Sequence, residues 1–420
     1  MSNNLIEENI DVNVENVNVE NENVNNENIT VENVENVTME NVENVSVVNV
    51  SVENVENVSV VNMNNFIDQA KQIIINKTAL TLEGGGVLGI AEVGALRNLY
   101  DMGGLRNMTH ITGTSVGSVI AASLACGASV DYIEKQLFGL DLPSFKDGKC
   151  AISNAYRFLK KGGYGWYKGD AIETLMGNIM KDLTGNANVT FLEAFNKFGI
   201  RLTIVYFSVN YNQTCYADYK TEPNLQIKHA VKRSSAIPAF YSAVWDQKDE
   251  STTKWYKKLF NKIFKKDYLV YVDGGITDNY PIHVLKDQGC PLNSIIGLKL
   301  CSPVEFNEYK EDMNLPIDVP VDNGPPTNIY NHIMQLIGVV HNQALRYHIH
   351  KEDWKLTVKI NIGNYQTTDF GITKEQQLWL YNEGKLALDS HINDVADLIS
   401  QGVYPIDGSV TNLSTSPLDY

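Results

Sequence analysis

The chain has 420 residues, a hydrophobic fraction of 43% and a net charge of −16, which is enough apolar material for a sizeable core. The charge is uneven: residues 1–62 hold 13 acidic and no basic side chains, leaving 37 acidic against 34 basic for the rest. A near-neutral body without a basic stripe argues against a nucleic-acid partner, and five widely spaced Cys without a CxxC pair argue against a disulfide framework and a zinc site.

Residues 1–62 are almost wholly Asn, Val and Glu, with a recurring Glu-Asn-Val unit and a longer repeat at a spacing of thirteen from Met39 and again from Val52. A period of three matches neither the 3.6 of a helix nor the 2 of a strand. The segment is therefore expected to be a disordered low-complexity tail. Its uncharged, β-prone run Val45–Val52 would permit self-association. No basic n-region or apolar h-region is present at the start, so the expectation is a cytoplasmic protein, or one peripheral to intracellular membranes, without a signal peptide. The charge-free stretch Ile111–Val130 is rich in Gly, Ser and Ala, and reads as a buried turn and helix rather than a transmembrane span.

From Phe66 the pattern becomes globular, and one domain is expected over 66–400, with 401–420 as a C-terminal tail. Strands are predicted at Thr78–Glu83, Met108–Thr112, Ile200–Ser208, Tyr268–Asp273, Ser294–Leu300 and Lys355–Ile362, and helices at Ala91–Tyr100, Ser118–Cys126 and Asn328–His350. This alternation predicts an α/β sheet covered on both faces. Ser302–Asn328 contains five of the twelve Pro, and is expected to be a long loop covering a site.

Three blocks carry chemistry. Gly113-Thr-Ser115-Val-Gly117 fits G-x-S-x-G between an apolar run and a small-residue helix, the context of a nucleophile elbow, although a plain Gly-Ser turn has the same spelling. Gly84, Gly85 and Gly86 follow a predicted strand; their N–H groups suit an oxyanion hole or a phosphate cradle, and no Lys-Ser/Thr pair follows to favour the phosphate. Asp273 ends an apolar run before Gly274 and Gly275, the usual place for a site residue in an open α/β sheet.

Taken in order, Gly84–Gly89 with Gly94-Ala-Leu96, the elbow at 113–117, Ser235–Tyr241 and Asp273–Pro281 resemble the patatin-like phospholipase family over roughly residues 78–300. The resemblance implies a three-layer α/β/α fold related to the α/β hydrolases and a calcium-independent lipid acyl hydrolase needing no cofactor or metal. It assigns Ser115 as nucleophile, Asp273 as base in a Ser-Asp dyad, the N–H groups of Gly84, Gly85 and Gly86 as oxyanion hole, and a phospholipid or other acyl-ester lipid as substrate, in the manner of a phospholipase A, lysophospholipase or esterase. Acyl transfer from the same acyl-serine, or non-catalytic lipid binding with assembly through the tail, are the alternatives. Leu88 departs from the family pattern, in which many members carry Arg or Lys at that position.

The order Ser, Asp, His also suits an ordinary triad, since His283, His332, His341, His348, His350 and His391 all follow Asp273. Most of these are expected to be structural. Between the Pro238 block and Asp273, Lys254–Lys266 alternates so that Trp255, Phe260 and Phe264 fall on one half of a helical wheel, while most of Lys254, Lys257, Lys258, Lys262, Lys265 and Lys266 fall on the other. That pattern predicts a basic amphipathic helix docking on a peripheral membrane surface.

Overall fold

The computed structural model describes residues 52–404 apart from 149, 160–162, 248–267, 314, 317–324 and 326–328. The chain divides into two units, Met1–Val60 and Val61–Tyr420. The first falls almost entirely outside the described residues.

The second unit is built on an eight-stranded sheet. Its parallel part runs β10 (Thr357–Asn361), β9 (Ile295–Cys301), β1 (Ala79–Leu82), β2 (His110–Thr114) and β4 (Arg201–Ser208). β5 (Gln213–Ala217) and β8 (Tyr268–Asp273) join β4 antiparallel, and β7 (Val244–Gln247) extends β8. A separate pair joins β3 (Gly165–Tyr167) to β6 (Ala239–Tyr241). Every residue of β1 and β9 is buried. Alternate side chains of a strand point to opposite faces, so burial of both sets requires cover on each side. The fold is accordingly α/β, a central sheet flanked by helices.

Two flanking helices pack closely. α2 (Gly89–Asp101) and α13 (Lys374–Ser400) cross where each carries a glycine: a Cβ on Gly94 would lie 1.8 Å from the Tyr381 carbonyl oxygen, and one on Gly384 1.8 Å from that of Ala91. The lack of side chains at this crossing lets the backbones touch.

Several boundaries differ from expectation. α1 spans Val52–Ile75, so helix replaces the last part of the expected tail. Phe66, Ile67, Ala70, Ile73 and Ile74 pack on the core at helical spacing, and neither Gly nor Pro interrupts 52–75, so a helix anchored at one end propagates backward at little cost. The expected loop 302–328 begins instead with α10 (Pro303–Asp312), started by a Ser302–Glu305 capping box and Pro303 at its first turn, where proline is preorganised. Tyr404 is buried and its hydroxyl meets Lys77 Nζ at 2.9 Å, so the first residues of the expected C-terminal tail pack on the body. The docking helix expected over Lys254–Lys266 lies outside the described residues, which resume at Tyr268.

Candidate active site

The register of β4 explains why residues 158 positions apart meet. β5 takes one edge of β4 over Ile204–Ser208. β2 and β8 must therefore share the other, and they do so end to end: Thr114 pairs with Val205, and the next residue of β4, Tyr206, pairs with Asp273. Ser115, the residue after Thr114, is brought to Asp273 by this arrangement.

The elbow is tight for a steric reason. Ser115 sits at φ 49°, ψ −122° immediately before α3 (Val116–Ala125), a region that a non-glycine residue occupies only when its surroundings enforce it. Gly117 allows the turn to press on β1, because a Cβ there would lie 2.5 Å from the Glu83 carbonyl oxygen. Ser234, at the end of α8 (Ile227–Ser234), ties the strained residue down: its hydroxyl accepts from the Ser115 N–H at 2.8 Å and donates to the Val205 carbonyl at 2.5 Å. Ser234 falls just before the Ser235–Tyr241 block and is not legible from sequence, because nothing local marks which serine faces the elbow.

Ser115 and Asp273 are each 5% exposed. The Ser115 hydroxyl lies close enough to the Asp273 carboxyl to favour its charged form, and Gly275 N–H donates to Asp273 Oδ1 at 2.7 Å. Burial pushes the Asp273 carboxyl up to about 7, against the opposing pull of these two groups. Desolvation penalises the charged form, and it leaves this carboxyl near neutrality.

The glycine loop is fastened beside them. Gly84 N–H donates to the Asn279 carbonyl at 3.1 Å, and Asn279 Nδ2 donates back to Gly84 O at 2.8 Å and to Glu83 Oε1 at 3.2 Å. Glu83 also accepts from Leu300 N–H at 2.6 Å and from the buried ammonium of Lys299, which pairs with Glu305 at 2.6 Å. Gly84 has thus spent its N–H on Asn279, whereas those of Gly85 and Gly86 have no hydrogen-bond partner among the described residues. Gly86 has φ +53°, conformational territory that favours glycine. Asn279 was legible only as part of the quoted block; its clamp on the loop depends on a long-range contact. Leu88 is buried and contributes to the core.

Two clefts share Ser115, Gly86 and Ile237. One, about 770 Å³ and open to solvent, is lined mainly by apolar side chains including Val116, Leu140, Phe145, Leu175 and Phe370. The other, about 660 Å³, is walled by the glycine loop, Asp273, Asn279, Ile276, Thr367 and the helix residues Ile337 and Gly338.

Among the described residues no imidazole hydrogen-bonds Ser115 or Asp273. His283 turns away: its Nε2 lies 3.3 Å from the Tyr216 hydroxyl and 3.7 Å from Asp278 Oδ2, and its ring stacks on His348 at 4.8 Å. His332 and His350 are exposed, and His391 is buried in α13. The His341 side chain lies outside the described residues. No group of three or more His, Cys, Asp or Glu among the described residues is placed to hold a metal ion, and no described helix is long and apolar enough to cross a membrane.

A serine on a strand-to-helix elbow, beside a buried carboxyl in an α/β sheet, is a layout that serine hydrolases use. Comparison with known proteins gives the family: residues 80–286 match the model for patatin-like phospholipases, and the chain carries a patatin-like phospholipase domain. An uncharacterized protein of Acanthamoeba polyphaga mimivirus is 29% identical over 308 residues, covering 73% of this chain and 90% of that one. Triacylglycerol lipase 4 of Saccharomyces cerevisiae is 26% identical over 223 residues, covering 51% of this chain but only 23% of the lipase. Among solved structures, VipD from Legionella pneumophila aligns with a TM-score of 0.48 at 16% identity, covering 75% of this chain and 67% of that one. The family is one of lipid ester hydrolases.

Proposed function

We propose that the chain hydrolyses fatty acyl esters of lipids, as a phospholipase of the A type with lysophospholipase or esterase activity, through an acyl-Ser115 intermediate. The observation that carries this reading is that Ser115 and Asp273 line one cleft side by side, with burial holding the carboxyl near 7. An unperturbed aspartate, near 3.9, is a poor base; one matched to neutral pH is an effective one.

In the proposed reaction the Ser115 oxygen attacks the ester carbonyl carbon as its proton passes to Asp273. The carbonyl oxygen becomes an oxyanion and accepts from Gly85 and Gly86 N–H, aided by the positive end of α3. The intermediate collapses, the C–O bond to the alcohol breaks, and the departing oxygen takes the proton from Asp273. Water then attacks the acyl-serine, giving its proton to Asp273, and the fatty acid leaves as Ser115 recovers a proton. The apolar cleft suits the acyl chain, and the cleft beside Asp273 the leaving alcohol. Peripheral association with a lipid surface belongs to the same reading.

The test is labelling with a fluorophosphonate probe, followed by hydrolysis of a soluble short-chain ester. Labelling of the wild type that is abolished in Ser115→Ala, with hydrolysis lost in Asp273→Asn, supports the reading. A folded wild type that neither labels nor hydrolyses refutes it.

A further inference from the structure

Two helices, one walling the cleft beside Asp273 and one joined to the apolar cleft through β3 and β6, turn apolar side chains to solvent. In α11 (Ile329–His348), Ile337 and Gly338 wall the cleft beside Asp273. Leu336, Val339, Val340 and Tyr347 are exposed, Tyr347 by 79%. At 100° per residue these four fall within one stripe, distinct from the directions of Ile337 and Gly338. α5 (Ala151–Leu159) repeats the feature: Ile152, Tyr156 and Leu159 share one face, with Ile152 and Leu159 exposed by 83% and 80%. α5 is also joined to the site. Its Phe158 meets Trp166 of β3 edge-on at 6.3 Å, β3 pairs with β6, and Tyr241 at the end of β6 lines the apolar cleft.

Side chains this apolar, gathered in stripes, are unusual on a surface that faces only water. Their chemistry indicates what covers them. Neither helix contains an Asp or Glu, although the body is slightly acidic, so neither repels anionic headgroups. Tyr156, Tyr164 and Tyr347 are all exposed, and tyrosine favours the boundary between hydrocarbon and water. The outer face of the same helix whose inner residues wall the catalytic cleft is where a lipid surface would have to lie for a lipid to pass directly to Ser115. A protein seated there would obstruct that passage.

We infer that the exposed faces of α5 and α11 form the surface by which this protein docks on a phospholipid bilayer. The choice of a bilayer rests on the reading of Ser115 as a lipid acyl hydrolase nucleophile. The exposed position of the residues makes them removable without disturbing the core, and glutamine is a good helix former.

The experiment compares the full chain carrying Ser115→Ala with the same chain also carrying Ile152→Gln, Leu159→Gln, Leu336→Gln and Val340→Gln, by co-sedimentation with phosphatidylcholine–phosphatidylserine vesicles. Binding should weaken at least about tenfold, given the apolar area removed from the contact. The four substitutions in the active chain should leave hydrolysis of a soluble short-chain ester within about twofold, which shows that it is folded. Vesicle binding unchanged by the four substitutions overturns the inference, as does a parent chain that binds no vesicles. A parent that is dimeric by size exclusion and becomes monomeric in the variant also overturns it, since a second copy would then be the occupant. If wild type fails on the soluble ester while vesicle binding behaves as expected, the catalytic reading falls and the docking surface stands.

Discussion

Replacing Ser234 by Ala isolates what holds the nucleophile in place. The hydroxyl joins the Ser115 N–H to the Val205 carbonyl, at 2.8 and 2.5 Å, in a region closed to solvent. Its loss orphans a donor on the elbow and an acceptor on β4, and each buried orphan costs about 1–3 kcal/mol. The folded state should lose about 2–6 kcal/mol on the same basis, read by urea unfolding. Ser115 is also released from the contact that opposes its unfavourable φ of 49°, so kcat for a soluble ester should fall by about 10–100-fold, or about 1.4–3 kcal/mol in barrier, with KM little changed. Ser235 supplies the control: it is equally buried, yet its hydroxyl has no hydrogen-bond partner among the described residues, so Ser235→Ala should cost less than about 0.5 kcal/mol. Equal effects from the two serines, or a Ser234→Ala enzyme within twofold of wild type, would refute the reasoning.

Other outcomes follow from the same geometry. For a soluble ester, kcat/KM should rise about tenfold per pH unit below 7 and level off above it, as expected of one base that must be deprotonated and whose carboxyl titrates at about 7; a plateau reaching down to pH 5 would sink the assignment. Asp273→Asn should be inactive yet more stable than wild type at pH 8. The wild-type carboxyl is raised from 3.8 to about 7, so the unfolded chain releases its proton first, and about 4 kcal/mol is lost as pH climbs between those values. The difference between variant and wild type in urea melts should therefore close toward pH 4. Asn279→Ala, which removes the side-chain half of the clamp on the glycine loop, should lower kcat about 10–100-fold while leaving KM nearly unchanged. His229 is raised to about 9 by hydrogen bonds to Asp246 and then Glu173. Its stabilisation is full below pH 6.5 and lost through about 9, and His229→Gln should remove that dependence from the unfolding profile.

What could be read from sequence was what local patterning encodes. The strand Tyr268–Asp273 has its expected bounds, and Arg201–Ser208 and Ile295–Cys301 lie within a residue of theirs, since β-branched runs bounded by turn residues declare themselves. The meeting of Ser115 with Asp273 followed from resemblance and not from pattern: it depends on β2 and β8 sharing one edge of β4, a fact of topology. Ser234, the clamp made by Asn279, the wall formed by Ile337, Gly338 and Thr367, and Phe370 in the apolar cleft were missed for the same reason, as each acts across the fold. Pro303 misled in the other direction. Five prolines over Ser302–Asn328 suggested loop throughout, yet proline at a first helical turn gives up no hydrogen bond, and the Ser302–Glu305 box was present to be read.

The carboxyls around the site share one physical cause. Asp273, Glu83 and Asp278 are all pushed up to about 7, and burial is the leading reason in each case. Glu83 retains Lys299 nearby as a compensating charge; among the described residues Asp273 has the Gly275 N–H and the neighbouring Ser115 hydroxyl, and no cation. A cation beside Asp273 would favour its charged form and lower its basicity, which would defeat a dyad that lacks an imidazole. In the proposed reaction Asp273 serves as base without a counterion among the described residues, whereas Glu83, which braces the loop, is paired with Lys299. The instability predicted from Asp273 at alkaline pH and the basicity available to Ser115 are thus two consequences of the same desolvation, and a substitution that relieves the first must diminish the second.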